Sequence, residues 1–263
     1  MSTASTRPQA EPRSPRDRGF HVPKASELIA RWMRRDIHQR RLRPGDSLPT
    51  ETQLQAQFEV SRPTLREALR ILEAQQLVRI ARGAAGGARY SLPQIGMVAE
   101  HTGIYLEAHQ TTQRDLTEAR LNIEPCVVGF IAEHAKAEDL GRLKDSVAAH
   151  RAAIEDLHQF ALEHERFYEL LATLCPNQTL GLFLLILREV MGAQAELLGD
   201  EVINSGEAAR TALDAHIRAK DKLVSMIEAH DREGAETLWR RHLAAQLRQL
   251  EASGRGDLLI STY

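Results

Sequence analysis

The sequence predicts an N-terminal winged helix-turn-helix (α+β) followed by an all-α bundle of six or seven helices. Three observations carry that expectation. Within residues 48–89, two short helical patterns meet at a tight turn and lead into a glycine-rich hairpin. Charge is unevenly divided under an overall net of −2: by direct count residues 1–93 hold 17 Lys/Arg against 9 Asp/Glu, and residues 94–263 hold 17 against 27. From Pro93 onward, helical periodicities follow one another with no strand pattern.

Residues 1–20 are rich in Ser, Thr, Pro and Arg with almost nothing to bury, and are expected as a disordered tail. The winged domain is expected over 21–92. Its first helix, 26–41, places Leu28, Ile29, Trp32, Met33 and Ile37 on one face. Pro44-Gly45 then signals a turn, and Pro49-Thr50 opens the next helix with Thr50 as its cap. Leu54, Phe58 and Val60 give that helix an apolar side. Ser61 follows where an N-cap belongs, with Pro63 in the first turn, where a missing N–H costs little.

The third helix carries Leu65, Ala68, Leu69 and Leu72 at i, i+3, i+4, i+7 spacing. Arg62, Thr64 and Arg66 fall near its start and off that stripe. A recognition helix needs this layout, because its first turn enters the major groove. Leu77, Val78 and Ile80 then read as a strand, 82–87 as a turn and 88–92 as the returning strand. This is a wing, with Arg82 and Arg89 set to reach phosphates or a minor groove. A run of basic residues is ordinarily a solvated face, but here the excess coincides with the motif, so a polyanion partner is expected at this end.

Residues 93–252 are expected as helices over 94–109, 112–135, 137–156, 160–174, 178–198, 207–229 and 232–252. Cys175-Pro176-Asn177, Gly199-Asp200 and Asn204-Ser205-Gly206 are the breaks, and Asp231 is the final cap. Pro125 lies inside the second helix, where a kink or a lost turn is expected. Residues 253–263 read as a C-terminal tail. Cys126 and Cys175 are too few and too far apart for a disulfide framework. The longest apolar run, 180–187, is far short of a membrane span and includes Gly181. No secretory core is visible at the N-terminus, so a cytoplasmic protein with no membrane partner is expected. A nucleophile elbow, a phosphate-cradling glycine loop opening a helix and an HExxH motif are all missing, so no enzyme is expected.

The stretch LRPGDSLPTE, then VSRPTLREALRILEAQQLV, then a glycine-rich wing resembles the GntR family of bacterial transcription regulators over about 70 residues. The resemblance implies that Ser61, Arg62, Thr64 and Arg66 on the recognition helix, with Arg82 and Gly83 in the wing, contact DNA. Thr52 departs from the pattern, since many relatives carry Arg there, which removes one expected contact. RLNIEP, HERFYELLATLCPNQTL and IRAKDKLVSMIEAHDREGAETLWRRHL resemble the helical FCD ligand-sensing domain of the FadR-type branch. That likeness implies a homodimeric, effector-released repressor on a palindromic operator of double-stranded DNA.

Many members of that branch hold a divalent metal on an Asp and three His. Carried over, the pattern puts His164 at the Asp position, Tyr168 and Lys220 at two His positions and His242 at the last. A protonated amine is a poor ligand and a phenol a weak one near neutrality, so no metal cofactor is expected. Lys220, with Arg120 and Tyr168, is instead expected to receive an anionic group of the effector directly, giving an effector set of Arg120, His164, Tyr168, Lys220 and His242.

Three alternatives stay open. Arg120 pairs with Glu124 one turn on; Lys220 faces solvent; or His216, four residues before Lys220, restores the metal set through a shifted alignment. His150, His158 and His230 sit in polar surroundings and are expected at the surface. Phe160, Phe167, Phe183, Leu184, Leu187 and Met191 are core residues or line a roomy pocket. In the second case the fitting effector is a hydrophobic carboxylic acid or an acyl thioester. The rival readings of the whole chain are a metal-dependent enzyme or metal-binding protein built on the helical part, and an architectural DNA binder without effector.

Overall fold

A computed structural model describes residues 23–81, 87–198 and 206–261. Contacts divide the chain into two units, Met1–Pro93 and Gln94–Tyr263, each with its own apolar core. The expected tail at 1–20 lies outside the described residues.

The first unit contains α1 (Ala25–Gln39), α2 (Glu51–Phe58), α3 (Arg62–Ala74), β1 (Val78–Ala81) and β2 (Gly87–Tyr90). Ile29, Met33 and Ile37 of α1 pack with Leu54 of α2 and with Leu65, Ala68, Leu69 and Leu72 of α3. The buried face of α1 is narrower than its apolar periodicity, because Leu28 and Trp32 are 52% and 46% exposed. Trp32 instead meets Phe58 edge-on at 5.2 Å between ring centroids.

Thr50 caps α2 in a reciprocal box: its hydroxyl accepts from the Gln53 amide, and the Gln53 side chain accepts from the Thr50 amide. Glu59, at φ 52°, takes the left-handed conformation that turns the chain sharply from α2 to α3. The strands pair antiparallel, with Val78 opposite Tyr90 and Ala81 opposite Gly87. The turn at Gly45 (φ 96°) lays residues 45–48 beside β2, through bonds between Tyr90 and both Gly45 and Asp46 and from the Leu48 amide to the Ala88 carbonyl.

The second unit contains α4 (Ile95–Ala108), α5 (Gln113–His134), α6 (Ala137–Ala152), α7 (Leu157–Leu174), α8 (Gln178–Leu198), α9 (Gly206–Glu228) and α10 (Arg232–Ala252). Its core draws Val127, Val128 and Ile131 from α5, Leu143 and Val147 from α6, and Phe167 and Leu171 from α7. Leu184 of α8, Leu223 and Ile227 of α9, and Trp239 and Leu243 of α10 complete it. Asp231 caps α10, its carboxylate accepting from the Gly234 amide, and Asn177 opens α8 by accepting from the amides of Thr179 and Leu180.

Two expectations need correction. Helix α5 loses no turn at Pro125. The proline deprives the Leu121 carbonyl of its donor, but Arg240 Nη1 of α10 bonds that oxygen at 3.1 Å. The segment read as a C-terminal tail is packed against α5. Gln113 and Arg114 donate from their amides to the carbonyls of Leu258 and Gly256, and the Ile260 amide donates to the Thr111 carbonyl. Ile260 is buried with Ala99, Leu116 and Val190, so it pins α4, α5 and α8 together. Among the described residues no helix is long and apolar enough to cross a membrane.

Candidate DNA interface and effector site

The recognition surface lies at the start of α3. Ser61 accepts from the Thr64 amide, and the two hydroxyls bond at 2.8 Å, so cap and first turn form one rigid piece. Arg62 and Arg66 project from it, 65% and 57% exposed. Glu51, the first residue of α2, lies 3.4 Å from Arg62 Nε and 3.6 Å from Arg66 Nε. One carboxylate therefore orients both guanidinium groups, a role that sequence reading missed. Arg89 is exposed and donates through Nη1 to the Gly45 carbonyl at 3.0 Å, so it also braces a turn. Arg82 and Gly83 lie outside the described residues.

The second unit gathers polar side chains in its interior. Arg120 is buried and takes the first of the open alternatives: Nε bonds Glu124 at 2.5 Å, while Nη1 reaches Gln246 and Nη2 reaches the Tyr168 hydroxyl. Trp239 Nε1 donates to the other Glu124 oxygen at 2.8 Å. Arg120 thus arrives already neutralised, its pKa raised by the Glu124 charge against the opposing effect of burial. Burial also pushes the Tyr168 hydroxyl up to about 12.

Lys220 is wholly buried and does not face solvent. Its Nζ lies 2.8 Å from His150 Nδ1 and 4.2 Å from the Phe167 ring centroid. Burial drives the Lys220 pKa well below its ordinary value, and the Arg188 charge adds to that shift. His150 is therefore a core residue and the surface expectation for it is wrong; His158 and His230 are exposed as expected. The sequence held a signal for this, since Leu143, Val147 and His150 share one face of α6 at i, i+4, i+7 spacing. Nδ1 of His150 faces the Lys220 amine, and Nε2 has no hydrogen-bond partner.

Four imidazoles follow one another through this interior. Ring centroids are 5.7 Å apart for His150 and His164, 5.0 Å for His164 and His216, and 4.6 Å for His216 and His242. All four pKa values are lowered, burial first: His150 to about 3, His216 to about 2, His242 to about 4, and His164 well below its usual value. Gln246 Nε2 lies 2.9 Å from His242 Nε2, tying this row to Arg120. His216 stands between His164 and His242, where the shifted alignment needs it. Even so, among the described residues no three His, Cys, Asp or Glu side chains form a group able to hold a metal ion. An amine and a phenol occupy two of the family's ligand positions and no carboxylate joins the row, so a metal bound here would rest on His164, His216 and His242 alone.

Beside the row, a cavity of about 290 Å³ opens between α7 and α8, lined by Glu165, Tyr168, Glu169, Leu185, Arg188 and Glu189 among others. Arg188 is buried, stacks on Tyr168 with Cζ 4.2 Å from the ring centroid, and pairs through Nη2 with Glu165. Sequence reading missed it, although Gly181, Leu184 and Arg188 form one buried stripe. Of the apolar residues expected in core or pocket, Phe160, Phe167 and Leu184 are core, Phe183 is exposed, and Leu187 and Met191 pack near Ile260.

Comparison with known proteins agrees with this architecture. Residues 25–86 match the bacterial regulatory proteins of the gntR family, and residues 115–245 match the FCD domain. The chain is 32% identical over 157 residues to the HTH-type transcriptional repressor NanR of Cronobacter sakazakii, covering 59% of this chain and 60% of that protein. It is 26% identical over 224 residues to NanR of Edwardsiella tarda, covering 84% and 83%. Streptococcus agalactiae GntR has a similar fold, with a TM-score of 0.63 and 20% identity over 85% of this chain and 99% of that one. The exposed, capped recognition helix, the winged unit that presents it and the helical unit that follows in the sequence are the parts of one known architecture: the chain is a member of the GntR family, in the FadR-type branch with an FCD domain, and is a ligand-responsive DNA-binding transcription regulator.

Proposed function

We propose that this regulator is a cytoplasmic homodimeric repressor that reads a palindromic operator and leaves it when an acidic metabolite enters the helical unit. The observation that carries the ligand class is Lys220. It is a buried amine whose hydrogen-bond partner is an imidazole, with the Arg188 guanidinium close enough to depress its pKa. A buried amine held short of its ordinary basicity takes up a proton when a carboxylate arrives beside it, so the pair forms without a stranded charge.

In this reading Lys220 with Tyr168 forms the hydrogen-bond-donating wall, and His164 and His242 supply neutral imidazoles along it. Arg120 orients Tyr168 and Gln246, since its own charge is met by Glu124. Ser61, Arg62, Thr64 and Arg66, with Arg82 and Gly83 in the wing, are the DNA-contacting set. Two recognition helices of a dimer would address half-sites about one helical turn apart. Release requires only that the metabolite bind the DNA-free form more tightly, with a coupling of about 1–3 kcal/mol.

The test is selection of binding sites from a random duplex library with the full chain. Enrichment of an inverted repeat, lost with Arg62→Ala and Arg66→Ala together, is the expected result. Enrichment of a single half-site would refute the dimeric reading. Indifference to the double substitution would refute the recognition-helix assignment.

A further inference from the structure

The cavity between α7 and α8 is ordered by charge along its depth. Its buried part is the Arg188 guanidinium, 8% exposed, stacked on the Tyr168 ring. Nη2 is held by Glu165, whereas Nε has no hydrogen-bond partner. A buried guanidinium N–H left without an acceptor is costly, and a carboxylate oxygen is its strongest match. The exposed part of the lining is acidic, with Glu169 on α7 and Glu189 on α8 both open to solvent.

These two ends make opposite demands. A plain carboxylate reaching Arg188 Nε meets a lining with three carboxylates against one guanidinium. A plain amine satisfies Glu169 and Glu189 but leaves Arg188 Nε unmet. A molecule carrying both charges satisfies both ends. At about 290 Å³ the cavity sits at the lower limit of small-molecule sites, roughly 300 Å³, which excludes an acyl thioester with its carrier. Leu185 offers a modest apolar wall for a side chain.

We propose that this cavity receives a small zwitterion of the α-amino-acid class, its carboxylate on Arg188 Nε and its ammonium between Glu169 and Glu189. The proposal rests on the reading of the helical unit as the receiver of an acidic effector and narrows that class to acids bearing an amine. The Arg188–Glu165 pair is the element that the ligand carboxylate perturbs. It joins α7 to α8 and lies beside Lys220, so occupancy of the cavity is felt by the buried row of rings.

The test is titration calorimetry on the full chain with the twenty proteinogenic amino acids. Each is run beside the acid that lacks its amine and the amine that lacks its carboxylate. At least one amino acid is expected to bind saturably, with both truncated counterparts at least tenfold weaker. Arg188→Gln is expected to weaken that ligand at least tenfold. Gly192→Leu is the second variant: Gly192 lines the cavity and a Cβ there meets nothing within 4 Å, so a larger side chain has open space to enter, in a residue that favours helix. It is expected to abolish binding with a thermal midpoint that is not lowered.

The proposal is overturned if no amino acid binds, if a deaminated acid binds as tightly as its parent, or if Gly192→Leu leaves binding intact. An acid that binds without an amine and is lost with Lys220→Met overturns the zwitterion and leaves the effector reading standing. Operator binding that no deproteinised cell extract relieves sinks the effector reading itself.

Discussion

Arg240 Nη1 donates to the main-chain carbonyl of Leu121, the oxygen that Pro125 leaves without a helical donor. A helix interior normally does not tolerate proline, which removes one bond and crowds the carbonyl a turn earlier. Here the neighbouring helix supplies the missing donor, and α5 continues. Arg240→Ala is expected to destabilise the second unit by about 1 kcal/mol in urea denaturation. Pro125→Ala in the same chain should recover most of that loss, since the alanine amide then serves Leu121. An equal cost of Arg240→Ala with and without Pro125 would show the bond to be incidental.

The Arg120–Glu124 pair is buried, and each member has further partners. Glu124→Leu leaves a buried guanidinium unpaired and is expected to cost about 3–5 kcal/mol. Adding Arg120→Met should restore a large part of the stability by removing the stranded charge. Denaturation of the two single variants and the double variant gives the coupling directly.

His150, His216 and His242 are held neutral, their pKa values lowered chiefly by burial to about 3, about 2 and about 4. In the unfolded chain each titrates near 6.5. Between pH 6.5 and 4 the unfolded chain binds protons that the folded chain refuses, so stability is full above this window and falls as the pH drops through it. Each histidine contributes about 1.4 kcal/mol per pH unit. His242→Gln should flatten the measured dependence by about that amount, read as unfolding free energy against pH.

A Cβ on Gly181 would lie 2.6 Å from the Ala172 carbonyl oxygen, a backbone atom that cannot swing aside. Gly181→Ala is expected to force α7 and α8 apart and cost about 1–3 kcal/mol. Gly192→Ala, on the same helix but facing open space, should be neutral or mildly stabilising. Thermal denaturation of the two variants compares them.

The winged unit was legible because local rules fix it. Ser61, Thr50 and Gly45 mark helix starts and a turn within a few residues, and the Leu65–Leu72 stripe names the buried face of α3. The starts of α8 and α10 were legible for the same reason, since Asn177 and Asp231 act on the residues next to them, whereas Asp156, read as the end of α6, instead caps α7, which begins at Leu157. The interior was harder. Lys220 meets His150 across 70 residues of sequence, and Arg188 meets Glu165 across 23, so neither partner announces the other locally. The sequence alignment did put Tyr168, Lys220 and His242 in one neighbourhood. It had no means of showing that Arg120 is already matched by Glu124, or that His150 completes the stripe of Leu143 and Val147.

Glu51 reaches both Arg62 and Arg66 on the recognition surface, so this module carries an internal counterion. When DNA phosphates take those two guanidinium groups, part of what they displace is a carboxylate tethered to the protein, which does not enter the bulk solution as a released salt ion would. The logarithmic dependence of affinity on salt would then count fewer phosphates than the protein touches. Neutralising Glu51 would raise affinity for any duplex while making that dependence steeper, so the residue trades indiscriminate attraction for a fixed geometry of the two arginines.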